Sequence, residues 1–393
     1  MTSQNSGQGK QIPLSLRCAS RGSSFARNDK GDVWTEKWAA GWATAGAATW
    51  AGLAVLARMG IARIGVIELM FLFAPLVIVP LGLELGRLHG LGSGIGRALA
   101  AMAQTLQPLG AVLAVVAICL PPGGRAGVAA AGWMVVCGLI ATAGVAELAT
   151  VVFGSAAGME NLTGEAPAAA RAVVVPAIPK IAGCVARLDL AVGGAWLMAS
   201  RLGWRPMGIQ EPIGLLTAVH FHFAGFATAM IASATLAFAE ARIAGRVNLL
   251  RWLRGIMVLV IAMPFVVAAG FVISPVLKMV AAIVFSASVF GLAGFAWMCS
   301  AHVEDGTARR FLRAAAATVL VGMVFSGTYA VSDFVKSDLL PIPRMASTHG
   351  MLNAVGFCLC GLLGWIVDGS TRTFTTLPPS GQAPGTEEHR GLE

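Results

Sequence analysis

Ten long apolar runs dominate this chain and decide which folds are open to it. Each run has about 18 residues or more with few charges, enough for one α-helix to cross the hydrocarbon core of a bilayer. Numbered one to ten in chain order, the predicted spans cover residues 39–58, 64–84, 98–120, 127–153, 181–200, 212–238, 252–273, 276–300, 312–331 and 350–367. We therefore predict an all-α fold, a polytopic transmembrane helix bundle of about ten spans.

The composition agrees with a lipid environment. Only 12% of the 393 residues are charged, whereas a soluble domain has about 25%, and the mean hydropathy is +0.76. The net charge of +9 lies mostly in short segments between apolar runs, where the positive-inside rule accounts for it, so no nucleic acid is expected. The expected partners are the lipid bilayer and a small-molecule or lipophilic substrate. The oligomeric state stays open.

Polar tails flank the apolar region. Residues 1–38 carry six basic side chains without the design of a signal peptide, and residues 369–393 are rich in proline and polar side chains. We predict that both are disordered and that residues 39–368 form the transmembrane helical bundle. Residues 166–179, before span five, are predicted to be a short re-entrant or interfacial piece.

The basic loops predict an orientation. If there are ten spans, the N-terminal tail and the loops after spans two, six and eight lie on one side, and they hold most of the basic residues. Those in the loops are Arg87, Arg97, Arg242, Arg246, Arg251, Arg254, Arg309, Arg310 and Arg313. Because positively charged loops stay in the cytoplasm, we predict a multi-pass protein of the cell inner membrane with both termini cytoplasmic. Spans six and ten then begin on the outer side.

A first polar motif lies near the start of span six. His220 and His222 follow Pro212 by 8 and 10 residues, which is about 12–15 Å along a helix and therefore in the outer half of the membrane. Residues two apart on a regular helix point about 200° away from each other. One ligand could meet both histidines only if the helix is distorted, which Gly225 permits.

A second motif lies at the predicted start of span ten. His349 and Asn353 are four residues apart and share a helix face, and the topology puts them at a depth similar to that of the first motif. We predict a histidine-lined site, catalytic or ligand-binding, formed by His220, His222, His349 and Asn353. The alternative is that these side chains only form hydrogen bonds that lock the bundle.

Other polar residues are candidates for substrate contact, because ionisable groups inside a membrane are costly and usually face the bundle interior. They are Glu68, Asp189, Glu211 and Thr217. For Asp189 the alternative is a structural ion pair with Arg187 or Lys180. No metal site is predicted, since no carboxylate stands at helical spacing from the histidine pair, and no cofactor is predicted either.

The two motifs resemble the YndJ-like family of bacterial integral membrane proteins. The resemblance covers roughly residues 40–367, and its specific parts are residues 216–226 and the run from His349 through Asn353 to Trp365. Members are commonly labelled transporters. The resemblance implies that His220, His222, His349 and Asn353 belong to the site of the family, and it supplies no substrate.

Two functional hypotheses remain open. In the first, the protein is a proton-coupled small-molecule transporter whose histidine site opens to the outer side. In the second, it is a membrane-embedded enzyme of the isomerase, cyclase or hydratase type that uses histidine acid/base chemistry on a lipophilic substrate. A structural or assembly subunit is a third, weaker possibility. The missing phosphate-binding loop excludes an ATP-driven pump made of this chain alone.

Overall fold

The computed structural model describes residues 29–88, 94–160, 177–337 and 339–369, and every regular element in these ranges is helical. Ten helices there are long and apolar enough to span a membrane. They are Trp38–Arg58, Val66–Leu88, Gly94–Cys119, Gly124–Phe153, Ile178–Leu202, Ile213–Arg242, Val247–Ile273, Pro275–Ser300, Gly306–Phe334 and Ile342–Asp368. The predicted all-α polytopic fold is confirmed. Most of the two predicted tails and residues 166–176 lie outside the described residues.

Span ten begins earlier than the sequence predicts. Its helix starts at Ile342 rather than near residue 350, because Pro341 and Pro343 do not break it. Proline is well accommodated in the first turn of a helix, where its missing N–H has no partner to lose. His349 consequently lies about two turns inside the span instead of at its start.

Spans two, six and ten form the centre of the bundle. Spans two and six are the most buried of the ten and span one is the least. The others surround them as antiparallel neighbours: span one packs on span two, spans three to five form one row, and spans seven to nine form another that continues into span ten. Large side chains on the outward faces are apolar, among them Leu109, Val135, Phe290 and Val324, as expected of surfaces that meet lipid.

All three central spans contain π-helical turns. These cover Ala74–Ile78 in span two, Phe221–Ala227 in span six, and both Ala346–Gly350 and Leu352–Leu359 in span ten. A π-helical turn inserts an extra residue into the α-helix and often occurs at functional sites. It also displaces backbone hydrogen bonds, so in lipid the carbonyl groups it frees need partners within the protein.

Span two shows how such carbonyls are satisfied. Pro80 has no N–H to offer to the carbonyl groups of Pro75 and Leu76, one turn earlier. The buried Gln107 side chain of span three donates to the Pro75 carbonyl at 2.6 Å. The Leu76 carbonyl lies directly against Gly46 of span one, where an added Cβ would collide with it. Spans one and three are thereby fastened to the irregular part of span two.

We predict that Gln107→Leu lowers the free energy of unfolding by about 1–3 kcal/mol, because it leaves the buried Pro75 carbonyl without its donor. Denaturant-induced unfolding of the purified chain in detergent measures this. Gln104→Leu is the matched control, since Gln104 lies on the same span, is only half-buried and makes no side-chain hydrogen bond to any described residue. Equal losses in the two variants would contradict the assigned role of Gln107.

Candidate functional site

A cavity of about 220 Å³ lies between spans six to ten. It reaches from the ends at which spans six and ten begin to about the middle of the bundle, and most of its wall is apolar. Polar side chains are few and come from four of the spans. They are Thr217, His220, Thr228, Lys278, Ser326, Tyr329, Asp333, His349 and Asn353. A concave, mostly apolar space with a few convergent polar groups is typical of a small-molecule site.

His220 presents one free nitrogen to this cavity. Its ring is exposed to the cavity, and Nδ1 lies 2.7 Å from the carbonyl oxygen of Leu216. A carbonyl can only accept, so Nδ1 carries the hydrogen and Nε2 carries the lone pair. Nε2 makes no hydrogen bond to any described residue. His220 therefore offers a hydrogen-bond acceptor and a base to a ligand in the cavity.

The π turn of span six begins directly after His220, and its carbonyl groups are also satisfied from nearby side chains. The Phe223 carbonyl accepts from Thr228 Oγ1 at 2.9 Å and lies 3.9 Å from Cys358 Sγ of span ten. Both partners border the cavity. The irregular turn is thus held by the cavity wall, with no contact to lipid needed.

His222 faces away from the cavity and is fully buried. Trp133 Nε1 of span four donates to its Nε2 at 3.0 Å, and its Nδ1 lies 2.8 Å from the Ala218 carbonyl. Phe71 of span two meets the ring edge-on at 5.2 Å. Both nitrogens are engaged, and Gly193 of span five leaves just enough room for the ring. The arrangement ties spans two, four and five to span six.

His349 and Asn353 lie on one face, as the sequence predicts. Asn353 Nδ2 donates to His349 Nε2 at 2.9 Å, and His349 Nδ1 lies 2.8 Å from the Gly322 carbonyl of span nine. Both histidine nitrogens are therefore occupied. The buried Asn353 Oδ1, in contrast, has no hydrogen-bond partner among the described residues. It rests over Gly322, where an added Cβ would lie 2.8 Å from it.

The other predicted contact residues do not lie together in the structure. Thr217 borders the cavity, with its hydroxyl donating to the Ile213 carbonyl at 2.8 Å. Glu211 is exposed before span six and accepts from the Leu215 N–H at 3.2 Å, which helps to start that helix. Glu68 is half-buried in the first turn of span two, away from the cavity.

Asp189 is fully buried in span five and does not border the cavity either. Neither predicted ion pair forms, because no Arg or Lys of the described residues lies within 4.0 Å of its carboxylate. Arg187 extends instead towards Gly86 of span two. Two residues apart on a regular helix, Arg187 and Asp189 point to different sides.

An ion pair at the mouth of the cavity was not among the predicted site residues. Lys278 Nζ lies 2.7 Å from Asp333 Oδ2 and 4.7 Å from the centre of the Phe271 ring. Lys278 is the third residue of predicted span eight, and Asp333 follows predicted span nine by two residues. The signal that could have placed Lys278 is Pro275, which begins span eight and puts Lys278 in its first turn. In the described part of the chain, no three His, Cys, Asp or Glu side chains are grouped as metal ligands.

The contrast between the two histidines of span six predicts opposite effects on stability. His222→Phe keeps a ring but leaves the buried Trp133 N–H without an acceptor, so we expect the free energy of unfolding to fall by about 1–3 kcal/mol. His220→Phe removes no structural hydrogen bond except that to Leu216 on the same helix, and a change within about 0.5 kcal/mol is expected. Denaturant unfolding of both variants measures the difference. The assignment fails if His220→Phe destabilises as much as His222→Phe.

Comparison with known proteins places the chain in a family. The family model described as YndJ-like protein matches residues 69–357, well over half of the chain. The chain is 27% identical over 179 residues to the uncharacterized membrane protein YndJ of Bacillus subtilis (strain 168), a stretch that covers 46% of this chain and 31% of that protein. The matched region thus spans under a third of that relative, and no solved structure matches. The chain belongs to the YndJ-like family of membrane proteins.

Proposed function

We propose that the protein is a permease for a small, largely apolar molecule that carries at least one O–H or N–H group. The observation that carries this proposal is the free Nε2 of His220 within an apolar cavity. An acceptor in a mostly apolar cavity favours a ligand that supplies a donor, since a ligand that displaced water without offering one would leave it unpaired. Asn353 also borders the cavity, although its Oδ1 is buried over Gly322.

The closed inner half of the bundle supports transport. Below the cavity, Phe238 and Trp365 pack with ring centres 5.2 Å apart, and Leu253 and Leu312 are buried beside them. A cavity that reaches one end and is sealed at the other corresponds to one state of an alternating-access cycle. Irregular helices around the binding site are also a feature of many transporters.

The enzyme hypothesis has less support. A histidine with a free basic nitrogen is suited to act as a general base. Acid/base turnover commonly uses a second protonatable group. His349 uses both nitrogens within the protein and Lys278 pairs with Asp333, which leaves Tyr329 as the candidate. We therefore assign the binding role to His220, with Thr217 and Asn353 beside it, and no catalytic role to His222.

The location in the cell inner membrane and the cytoplasmic position of both termini stay predictions. In support, Arg242, Arg254 and Arg313 all lie at the end of the bundle that the loops assign to the cytoplasm. On this orientation the cavity reaches the outer surface. The predicted polar tails would then both extend into the cytoplasm.

Metabolite profiling of cells and medium tests the proposed transport. A deletion strain is compared with strains that express the wild type, His220→Ala or the control His302→Ala, in which an exposed histidine outside the cavity is removed. We expect one compound to change its distribution between cells and medium in the deletion strain. Wild type and His302→Ala should restore it, while His220→Ala should weaken its apparent affinity by up to about tenfold, as loss of one hydrogen bond would.

The contrary result would be chemical conversion. If the deletion strain lost one compound and accumulated a chemically distinct precursor, the protein would be an enzyme and the permease proposal would be wrong. Equal membrane levels of all variants, measured by immunoblot, are required for the comparison.

A further inference from the structure

Asp189 is a carboxyl group in the core of the bundle that has no hydrogen-bond or ion-pair partner among the residues that the structure describes. It has no exposed surface, and both carboxylate oxygens lack a hydrogen bond within the described residues. It lies near the middle of span five and touches the π turn of span six. An added Cβ at Gly225 would be 2.7 Å from its Cγ and 2.8 Å from its Oδ2.

No neighbouring group compensates a charge at this position. On span five itself, Lys180 is exposed and Arg187 turns towards Gly86 of span two. Span five also carries Cys184 and Arg201. On the spans packed against it, the titratable groups are Arg125, Cys137 and Glu147 of span four, His220, His222, Glu240 and Arg242 of span six, and Arg251 and Arg254 of span seven. His222 has both nitrogens engaged, Arg254 pairs with Glu240 at 2.8 Å, and Arg251 is exposed.

An unpaired carboxylate in such a place would lose its hydration, and no interaction with the protein would replace it, which costs a large amount of free energy. The carboxyl group avoids that cost in only two ways: it binds a cation, or it carries a proton. The described residues offer no cluster of ligands for a metal ion. A proton can bind to a single carboxylate oxygen without such a cluster.

We propose that Asp189 is a proton-binding site that controls the π turn of span six. The carboxyl group holds its proton while the turn packs against it. When the turn moves away, water reaches the carboxyl group and accepts the proton, and the carboxylate is then hydrated. This proton site does not depend on what the cavity binds.

The position of Asp189 explains how its protonation state would affect the cavity. Span six separates the two: Gly225 and His222 face span five, whereas His220 and Ala224 face the cavity. A charge that appears on one side of the π turn must displace the turn, and the turn forms the cavity wall on its other side. Such a shared two-state element is what couples two sites energetically.

Infrared spectroscopy of the full chain in lipid nanodiscs tests proton binding directly. A protonated carboxylic acid has a carbonyl-stretch band that a carboxylate lacks, and ¹³C labelling of aspartate side chains shifts only the aspartate bands. At neutral pH we expect one shifted, protonated aspartate band in the wild type and none in Asp189→Asn. The proposal is wrong if labelled wild type shows only carboxylate aspartate, or if the band persists in Asp189→Asn. The labelled wild type decides the question even if the variant does not fold.

Hydrogen exchange of span six tests the control of the π turn. In the wild type, the protection factors of residues 213–242, which are exchange rates corrected for the intrinsic pH dependence of amide exchange, should fall as pH rises and Asp189 loses its proton. Asp189→Asn is a permanently neutral mimic, so its protection factors should stay high at every pH. The matched control Glu68→Gln, a carboxyl change in span two, should retain the wild-type dependence. Unchanged pH dependence in Asp189→Asn, or dependence on sodium at constant pH, would contradict the proposal.

Discussion

A bilayer offers no hydrogen bonds to a peptide group, and this constraint decides where the bundle can be irregular. Departures from the α-helix occur in spans two, six and ten, which meet at its centre. The Pro75 carbonyl accepts from the Gln107 side chain, and the Phe223 carbonyl accepts from the Thr228 hydroxyl in addition to the Thr228 backbone N–H. The π-helical turns are therefore confined to the central spans, whereas the other described spans are α-helical, with internal prolines at Pro108 of span three and Pro264 of span seven.

The arrangement gives span six two different faces. His220 and Ala224 meet the cavity, while His222 bonds to Trp133 and Gly225 touches Asp189. Because all these contacts lie on one short π turn or on the residue directly before it, a displacement of one face of span six also displaces the other face. A ligand that binds beside His220 and a proton that binds Asp189 would thus act on the same element, which is the physical basis of the proposed coupling.

The spans could be predicted from sequence because an α-helix in lipid bonds within itself, so its length and hydropathy suffice. The topology predicted that His220, His349 and Asn353 lie in the same half of the bundle, although His349 lies about two turns further into span ten than the sequence predicted. The direction of each histidine could not be predicted, since it depends on the π turn and on Trp133, 89 residues before His222 along the chain. The sequence could not predict that Asp189 lacks an ion pair either, because the side chains of the basic residues near it in sequence point to other neighbours.

Cysteine accessibility from outside tests most directly whether the central cavity opens to the outer surface. Ala224→Cys places a thiol in the cavity wall, and Leu109→Cys places one at similar depth on an outward, apolar face of span three. Both are made in a Cys119→Ser background, because native Cys119 is exposed at the end of span three. The account predicts that a membrane-impermeant thiol reagent added to intact cells labels Ala224→Cys and spares Leu109→Cys. Labelling of Ala224→Cys only after the cells are opened would contradict it.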